Sequence, residues 1–488
     1  MRKRVVRACV RRASPSLCLR CIGSVPSPRP GTHPRRLRCA SMVRPGAGTQ
    51  RSTRSRSISM AQARRSIIST TRPDSASMSA RMTSPEYPTR IGLEQALEIV
   101  AASAAQHRLP EESVVLGDAR GRVLGMDVRA PHPLPPFANS AMDGFALRGA
   151  DLPVEGERIF GLAGDVFAGA SSSPSVGAGQ CVRITTGAPI PPGADTVVIK
   201  ENVSVFGNGV VVRAGAKPGA NVRAAGEDYA VGDLALAAGT PLGAAQLAVL
   251  AAFGIERVAV RRRPRIAVIA TGNELVPAGQ PLGFGQIHES NAVMLAALAR
   301  ESGADVVAQR CVRDDPDALR AALLEGAADA DVIITSGGVS AGEADHLPRV
   351  LSGIGDIRFH KVRLKPGMPT LFGQIGACLC FGLPGNPVAS AVTFRVFVHF
   401  ALRAMLGVTT VHEPDHARLD EPLHKRHARA EFARCSLRTD GDGVRWATLH
   451  AKQGSGMLRG LAETDALALL PEGEKEYQRG DVVTLWPG

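Results

Sequence analysis

Residues 331–346, DVIITSGGVSAGEADH, indicate how this chain folds and where it binds a ligand. The β-branched run 332–335 is too short for a helix and predicts a buried strand. It runs into residues 336–338, SGG, where two glycines allow positive φ angles and let backbone N–H groups approach an anion closely. Ser336 and Ser340 add hydroxyls, and the acids that follow add oxygen ligands for a divalent cation. An ordinary strand-to-helix turn has the same composition, so this stretch alone leaves both interpretations open.

In the second half of the chain, buried-type strands alternate with helices, which predicts a parallel sheet with right-handed crossovers. Strands of such a sheet end at one shared rim, where ligands bind. The charged residues at or just beyond these strand ends are Glu274, Asp314, Asp345 and Lys361. The three acids could hold a divalent metal. Lys361 and Lys365, predicted on one face of one strand, could neutralise a phosphate or another tetrahedral oxyanion.

The charge of the chain is unevenly distributed. Its 488 residues have a net charge of +13, yet residues 1–73 hold 17 Arg and one Lys and no acidic residue. All 45 Asp and Glu residues therefore lie in the remainder, against 40 Lys and Arg. This mildly acidic body has no basic stripe with interleaved aromatics, so we do not expect it to bind nucleic acid. No stretch approaches the ~20 apolar residues of a membrane span, and the scattered cysteines fit a reducing cytoplasm.

Composition and periodicity divide the chain into five regions. Residues 1–85 are rich in Arg, Ser and Pro, and we expect a disordered tail, typical also of an organellar transit peptide or a mis-assigned start. The rest predicts a multidomain α/β protein, in which a doubly wound α/β ligand-binding domain has an inserted small β-rich domain and a C-terminal small β domain. The predicted bounds are 86–130 with 233–263 for a linking domain, 131–232 for the inserted domain, 264–410 for the α/β domain and 411–488 for the C-terminal domain.

The predicted inserted domain contains polar residues for which the local sequence allows both a functional and a structural role. Thr185 or Thr186, beside Gly187, could present a hydroxyl and N–H groups to an anion, although a Thr at a strand end is usually structural. Asp228 follows Gly226-Glu227, and a lone acid on a turn is normally just solvated.

Eight motifs, in order, resemble those of the molybdopterin molybdenumtransferases, the bacterial molybdenum-insertion proteins related to the C-terminal part of gephyrin. They extend from about Ile91 to the C-terminus. The motifs are NSAMDGFA at 139–146, RITTGAPIP at 183–191, GEDYAVG at 226–232, TGNEL at 271–275, RDDP at 313–316, TSGGVSAGEADH at 335–346, KVRLKPG at 361–367 and GLPGNPVA at 382–389. Eight ordered motifs are far more specific than one glycine-rich loop.

The resemblance implies a homodimer whose active site joins the α/β domain of one subunit to the inserted domain of the other. It implies that adenylylated molybdopterin and molybdate are the substrates, that molybdenum is inserted into the dithiolene, and that AMP is released with the help of Mg²⁺. It further implies a cytoplasmic enzyme whose partners are the molybdopterin adenylyltransferase and molybdoenzyme maturation factors.

Matching motif by motif, the resemblance together with the glycine turn assigns three groups of site residues. The expected catalytic residues are Asp143, Thr186, Asp228, Glu274 and Asp345. The expected metal ligands are Glu274, Asp314 and Asp345. The expected substrate-binding residues are Ser336, Gly337, Gly338, Ser340, Lys361, Lys365, Pro384, Pro387 and Ser455.

Two other functions are compatible with parts of the sequence. A non-catalytic pterin-binding scaffold would share the fold, but the acids at the rim positions are intact. A molybdopterin adenylyltransferase would share the glycine-rich loop, but it would lack residues 131–232 and the C-terminal β domain. Asn273, His346 and Met368 depart from residues found in other family members, which concerns fine contacts to the pterin.

Overall fold

The computed structural model describes residues 87–339, 346–408 and 415–487. The predicted tail, residues 1–85, and the predicted site residues Ser340 and Asp345 lie outside them. The first elements are strand β1 (Thr89–Ile91), helix α1 (Leu93–Gln106), strand β2 (Glu111–Val115) and strand β3 (Val128–Arg129).

The region from residue 139 to 223 is rich in β strands and also has two short 3₁₀ helices, Gly149–Asp151 and Lys200–Asn202. Its strands are β4 (Asn139–Ser140), β5 (Gly144–Leu147), β6 (Glu157–Val166), β7 (Gln180–Ile184), β8 (Thr196–Ile199), β9 (Val203–Phe206), β10 (Gly209–Arg213) and β11 (Val222–Arg223). Six of them form one sheet in the order β8-β5-β7-β6-β10-β9, and β4 pairs with β11. Successive residues of a strand point to opposite faces, so Cys181 packs in one apolar cluster with Phe160, and Val182 packs in another.

A small linking region connects the inserted domain to the rest of the chain. Its further elements are β12 (Leu234–Leu236), α2 (Ala244–Ala252) and β13 (Arg257–Arg261). Strand β12 pairs with β3 and β13 pairs with β2, both antiparallel. Leu124, Leu242 and Leu250 are buried in the core that these pairings enclose.

The third region alternates strands and helices. Its elements are β14 (Arg265–Thr271), β15 (Leu275–Val276), β16 (Ile287–His288), α3 (Asn291–Glu301), β17 (Asp305–Val312), α4 (Pro316–Asp329), β18 (Val332–Ser336), α5 (Leu347–Ser352), β19 (Asp356–Val362), β20 (Leu364–Lys365), β21 (Leu371–Ile375), β22 (Cys378–Leu383), α6 (Pro387–Thr393) and α7 (His399–Met405).

A seven-stranded sheet, ordered β1-β19-β21-β22-β18-β14-β17, organises this domain. Every residue of β18 and β22 is buried, as expected for apolar central strands covered on both faces. Helices α1, α3, α6 and α7 pack on one face, and α4 and α5 pack on the other. The predicted doubly wound α/β class is confirmed. The sheet is mixed, however, because β21 runs antiparallel to both of its neighbours.

The start of the predicted linking domain differs from the structure. Strand β1 pairs with β19, with Thr89 opposite His360, and thereby joins the edge of the large sheet. The apolar face of α1, with Ala96, Val100 and Ala104, is buried in the same core as α7. Residues 89–106 therefore belong to the α/β domain, because their apolar face is buried there and not against the linking strands.

One continuous helical stretch, Pro387–Met405, is long and apolar enough to cross a membrane by length and composition alone. It includes α6, α7 and the π-helical turn Phe394–Val398 between them. In this protein 72% of its most apolar 18-residue segment is buried inside the fold. The helix is thus a core helix, whose apolar surface is covered by α1 and the sheet.

The C-terminal domain is a small β structure. Its elements are β23 (His416–Leu419), β24 (Leu423–Lys425), β25 (Ala430–Thr439), β26 (Arg445–Leu449), α8 (Leu458–Ala462), β27 (Ala466–Leu470), β28 (Lys475–Tyr477) and β29 (Val482–Pro487). The sheet order is β20-β25-β26-β23-β29-β27, and β27 also pairs with β25, which closes the sheet on itself. Strand β20 comes from the α/β region, so the C-terminal sheet is joined directly to the segment that carries Lys365.

Candidate functional site

Three strand ends meet at the rim of the α/β sheet. After β18 the chain turns at Gly337 and Gly338, whose φ angles are 99° and 69°, which confirms the predicted positive φ. A Cβ on Gly337 would lie 2.7 Å from the carbonyl oxygen of Thr271, the last residue of β14. The Gly337 N–H donates to the Leu383 carbonyl at the end of β22, at 3.1 Å. Only glycine fits here, since any side chain would collide with β14.

Asn291, which sequence reasoning missed, ties these ends together. It is the first residue of α3, and its Nδ2 donates to Ser336 Oγ at 2.8 Å and to the Gly385 carbonyl at 2.6 Å. Its Oδ1 is buried and has no hydrogen-bond partner among the described residues. A buried acceptor in this position calls for a donor from elsewhere. No pattern in the sequence distinguishes Asn291 from an ordinary first residue of a helix.

Two of the three acidic residues predicted to share the rim, Glu274 and Asp314, lie near each other. Burial and the neighbouring carboxylate of Glu274 together raise the pKa of Asp314. Burial, Glu289, Glu274 and Asp314 likewise raise the pKa of the Cys311 thiol. The Asp314 N–H donates to Asn273 Oδ1 at 3.3 Å. The prediction that separate loops bring acids to one place is therefore supported for Glu274 and Asp314.

The metal prediction stays a prediction. In the part of the chain that the structure describes, no group of three His, Cys, Asp or Glu side chains is arranged to hold a metal ion. The third expected ligand, Asp345, lies outside the described residues. The two described acids nevertheless suit a hard cation, because crowded carboxylate oxygens are the donors that Mg²⁺ prefers.

The two predicted lysines do not share a strand. Lys361 lies near the end of β19 with φ of 70°, a left-handed conformation that is rare for residues other than glycine. The chain leaves the large sheet just beyond it, and Lys365 lies in β20, which belongs to the C-terminal sheet. Lys365 Nζ lies 2.9 Å from Oε1 of the buried Glu431. The two lysines therefore do not share one face of one strand, contrary to the prediction from strand periodicity.

The C-terminal domain reaches the rim through Ser455. Asn386, between Pro384 and Pro387, donates from Nδ2 to Ser455 Oγ at 3.0 Å. The Val388 N–H donates to the Ser455 carbonyl at 3.0 Å. Ser455 and the proline turn, which the sequence analysis assigned to the substrate, thus lie together although they are about 70 residues apart in the chain.

A second polar cluster lies in the inserted domain. Asp143 Oδ1 accepts from both the N–H and the hydroxyl of Thr186, each at 2.9 Å, and Lys200 Nζ lies 3.4 Å from Oδ2. These partners, Thr186 first, hold the pKa of Asp143 below its usual value. Lys200 was not predicted, because no spacing rule connects it to Asp143. Among the described residues, the hydrogen bonds of these three side chains stay inside the inserted domain.

Asp228 lies on an exposed turn at the edge of the inserted domain. Its N–H donates to the Leu134 carbonyl at 3.0 Å, which fixes the turn against the entry segment of this domain. Strand β11, just before it, pairs with β4, just before Asp143. The structure therefore relates Asp228 to the Asp143 cluster through a short two-stranded ladder and shows no contact of Asp228 with the described rim residues.

Three protein-family models match successive parts of the chain. They are described as the MoeA N-terminal region (domain I and II) at residues 91–254, a probable molybdopterin binding domain at 267–404, and the MoeA C-terminal region (domain IV) at 416–487.

Individual relatives match over most of their length. The chain is 37% identical over 388 residues to a molybdopterin molybdenumtransferase of Nostoc sp., covering 77% of this chain and 88% of the relative. It is 38% identical over 385 residues to molybdopterin molybdenumtransferase 2 of Mycobacterium tuberculosis, covering 77% and 94%. Among solved structures, a molybdopterin biosynthesis MoeA protein from Pyrococcus horikoshii matches with a TM-score of 0.68 and 31% identity, covering 82% of this chain and all of the other.

Proposed function

The chain belongs to the molybdopterin molybdenumtransferase family and is an enzyme of that class, and from this premise we propose that it inserts molybdenum from molybdate into adenylylated molybdopterin, forming the molybdenum cofactor. In this reaction the two dithiolene sulfurs bond to molybdenum in place of oxygen, which takes up the thiol protons and leaves as water. One water cleaves the phosphoanhydride bond and AMP leaves. Its matches to the N-terminal and C-terminal regions disfavour the adenylyltransferase alternative, which would lack both regions.

The observation that supports this proposal best is the convergence of unlike groups on one rim. The turn at Gly337 offers a close approach to backbone, and Glu274 and Asp314 crowd beside it. Ser336 Oγ accepts from Asn291, and a hydroxyl that accepts one hydrogen bond keeps its O–H as a donor. A nucleotide-bearing pterin needs these contacts: donors for phosphate and carboxylates for its counter-ion.

We propose that Mg²⁺ binds at Glu274 and Asp314, together with the predicted ligand Asp345. The raised pKa of Asp314 supports this assignment, because burial and the Glu274 carboxylate both disfavour its charged form and a cation would offset both effects. When bound, Mg²⁺ would neutralise phosphate charge. The remaining work falls to this chain's own groups: Lys361 and Lys365 attract the anionic substrates, and the Ser455 turn closes one side of the rim.

We further propose that the enzyme is a homodimer in which the Asp143 cluster of one subunit completes the rim of the other. Asp143, Thr186 and Lys200 bond to one another inside the inserted domain, yet Asp143 and Lys200 are exposed, with 46% and 59% of their side chains accessible. An exposed, charged and internally ordered cluster is what a subunit would present to a ligand held elsewhere. Asp228, on the neighbouring turn, joins the same surface in this proposal.

The reaction itself is tested with the purified chain, adenylylated molybdopterin, molybdate and Mg²⁺. We expect AMP release and molybdenum-loaded pterin in equal amounts. AMP release that does not depend on molybdate, or no turnover under any metal condition, would contradict the proposed reaction.

The shared site is tested by mixing two inactive variants, Asp143→Ala and Asp314→Ala, after exchange of subunits. Random reassociation makes half of the dimers mixed, and each mixed dimer has one intact site of two, so about a quarter of wild-type activity should return. Exchange is verified by mass spectrometry of the mixed dimer. If the mixed dimer forms and stays inactive, the site is contained within one subunit.

The setting of the reaction is part of the same proposal. We propose a cytoplasmic enzyme that receives its substrate from the molybdopterin adenylyltransferase and passes its product to molybdoenzyme maturation factors. The transfer of an adenylylated intermediate favours such direct contacts, because the anhydride bond is open to hydrolysis in free solution.

A further inference from the structure

Arg434, in strand β25, is a fully buried cation with neutral acceptors. It is 1% exposed, and its guanidinium donates to the carbonyl oxygens of Lys452, Gly454 and Met457 at 2.8, 3.2 and 3.1 Å. Its Nε also lies 3.5 Å from Gln453 Oε1. Among the described residues, these acceptors are all amide oxygens and none is a carboxylate.

The surroundings of Arg434 are built to hold it. Gln453 accepts from the Arg434 N–H at 3.0 Å and donates from Nε2 to the carbonyls of Arg434 and His450, each at 2.9 Å. A Cβ on Gly460 would lie 2.8 Å from Nη1, so a larger residue there would collide with the guanidinium. Burying a charge without an opposite charge costs free energy that an apolar side chain of the same size would avoid. The charged guanidinium of Arg434 is therefore explained by the carbonyl groups that it binds.

What Arg434 holds is the loop 452–457, which has no helical or strand hydrogen bonds of its own. Its carbonyls turn inward to the guanidinium, and Ser455 lies at its centre. Ser455 in turn contacts Asn386 and the Val388 N–H at the rim of the α/β domain. A continuous chain of hydrogen bonds thus runs from Arg434 through this loop to the proline turn.

We propose that Arg434 is a positioning residue for the active site, acting through the 452–457 loop to set Ser455 against the turn between Pro384 and Pro387. This inference rests on the proposed function only in assigning that turn to the substrate. Removing the guanidinium frees three carbonyls, so the loop moves and Ser455 loses its place, although Arg434 itself touches no substrate.

The test compares Arg434→Met with Arg438→Met in the full-length chain. Arg438 lies four residues along the same strand, but it is exposed and pairs with Asp420 outside the loop. We expect Arg434→Met to raise KM for adenylylated molybdopterin by about 10- to 100-fold with a smaller change in kcat, since a misplacement of about 1 Å is this costly. Arg438→Met should leave both unchanged.

A second measurement does not depend on activity. Hydrogen exchange of the Val388 amide and of residues 452–457 should quicken in Arg434→Met and stay as in wild type in Arg438→Met. Arg434→Lys, which keeps the charge but cannot reach three carbonyls at once, should lie between the two and serves if the methionine variant does not fold. Wild-type KM and wild-type protection at Val388 in either Arg434 variant would overturn the proposal.

A double-mutant cycle separates positioning from general stability. If Arg434 acts through Ser455, adding Ser455→Ala to Arg434→Met should raise KM little further, because the second change removes an interaction already lost. Fully multiplicative effects would show that Arg434 acts by another route. If wild type itself performs no molybdenum transfer, the proposed function fails, while hydrogen exchange still decides whether Arg434 positions the loop.

Discussion

Two carboxylates of this chain, Asp314 at the rim and Asp143 in the inserted domain, have pKa values displaced in opposite directions. Burial and the neighbouring Glu274 raise that of Asp314. The Thr186 N–H and hydroxyl, with Lys200, lower that of Asp143. Hydrogen bonds and an ion pair within the chain thus stabilise the charged form of Asp143, whereas burial and Glu274 disfavour the charged form of Asp314.

The difference indicates which of the two regions requires a bound cation to balance its charge. Hydrogen bonds within the chain hold the Asp143 cluster, so it can act as a fixed charge presented to a substrate. At the rim, burial and the nearby carboxylate of Glu274 disfavour the charged form of Asp314, and a bound cation would offset both effects. We therefore expect the rim to respond strongly to metal and the Asp143 cluster to respond weakly.

The largest effect should come from Asp314→Asn. It removes an expected metal ligand and the repulsion with Glu274 together, so activity should fall by about 100-fold while the melting temperature stays unchanged or rises slightly. Mg²⁺ should raise the melting temperature of wild type and not of the variant, because binding to the folded state alone stabilises it. The measurements are AMP release and thermal unfolding with and without Mg²⁺.

Asp317→Asn is the matched control, since Asp317 is an exposed acid three residues along the same segment. It should keep both activity and the response to Mg²⁺. Equal losses in the two variants would mean that the rim acids act only through general charge.

The next effect concerns Lys365, a predicted substrate-binding cation that is already paired with Glu431 within the chain. Lys365→Met should raise the molybdate concentration needed for half-maximal activity by about 10-fold. It should also lower the free energy of unfolding by about 1–2 kcal/mol, because the buried Glu431 loses its ammonium partner while Lys365 itself is partly solvated. Molybdate titrations and urea unfolding measure the two quantities.

Lys361→Met is the comparison for this prediction. Lys361 makes no ion pair with Glu431 in the structure, so its replacement should change the molybdate requirement without the loss of stability. If Lys365→Met proves as stable as wild type, the pair with Glu431 contributes only what a surface ion pair does.

The rim was predictable from the sequence where it depends on strand ends and glycines. The run 332–336 and the two glycines after it have conformations that local sterics impose. Glu274 and Asp314 follow strands that are adjacent in the sheet, so topology alone brings them together. Family and fold class could also be predicted, because they depend on motifs and on the order of those motifs along the chain.

The rest of the site depends on contacts between distant segments, which no local pattern encodes. Asn291, Lys200 and Arg434 each act through partners that only the folded chain brings near. The prediction that Lys361 and Lys365 lie on one face of one strand was wrong because β19 ends at Val362, and Lys365 lies in β20, which pairs with the C-terminal sheet. The roles of Asp143, Thr186 and Asp228 stay predictions, since the described contacts leave them apart from the rim.

A third prediction uses pH to sharpen the contrast between the two acids, in metal-free buffer. Between the ordinary value of 3.8 and its raised pKa, Asp314 binds more protons in the folded state than in the unfolded state. Its contribution to stability therefore falls as pH rises through that window. Asp143, with a lowered pKa, contributes stability that is present above 3.8 and is lost as pH falls through its folded pKa.

The expected outcome is a crossing pattern. Asp314→Asn should gain stability relative to wild type as pH rises from below 3.8 to neutrality. Asp143→Asn should lose stability relative to wild type over the same rise. Urea unfolding at a series of pH values measures both, and parallel pH dependences in the two variants would contradict the opposed assignments.

The smallest effect should come from Lys200→Met, which tests how the charge of Asp143 is held. Lys200 is exposed and lies 3.4 Å from Oδ2, whereas Thr186 makes two shorter hydrogen bonds to Oδ1. An exposed ion pair is screened by solvent, so activity should stay within about twofold of wild type and the melting temperature should not change measurably.

Nuclear magnetic resonance titration of the Asp143 carboxyl should show a small upward shift of its pKa in Lys200→Met. The shift should be larger in Thr186→Val, which removes the hydroxyl donor but keeps the N–H. If the lysine variant shifts the pKa of Asp143 more than the valine variant does, then charge pairing and not hydrogen bonding keeps Asp143 ionised. Lys200 would then join Asp143 and Thr186 as a functional member of that cluster.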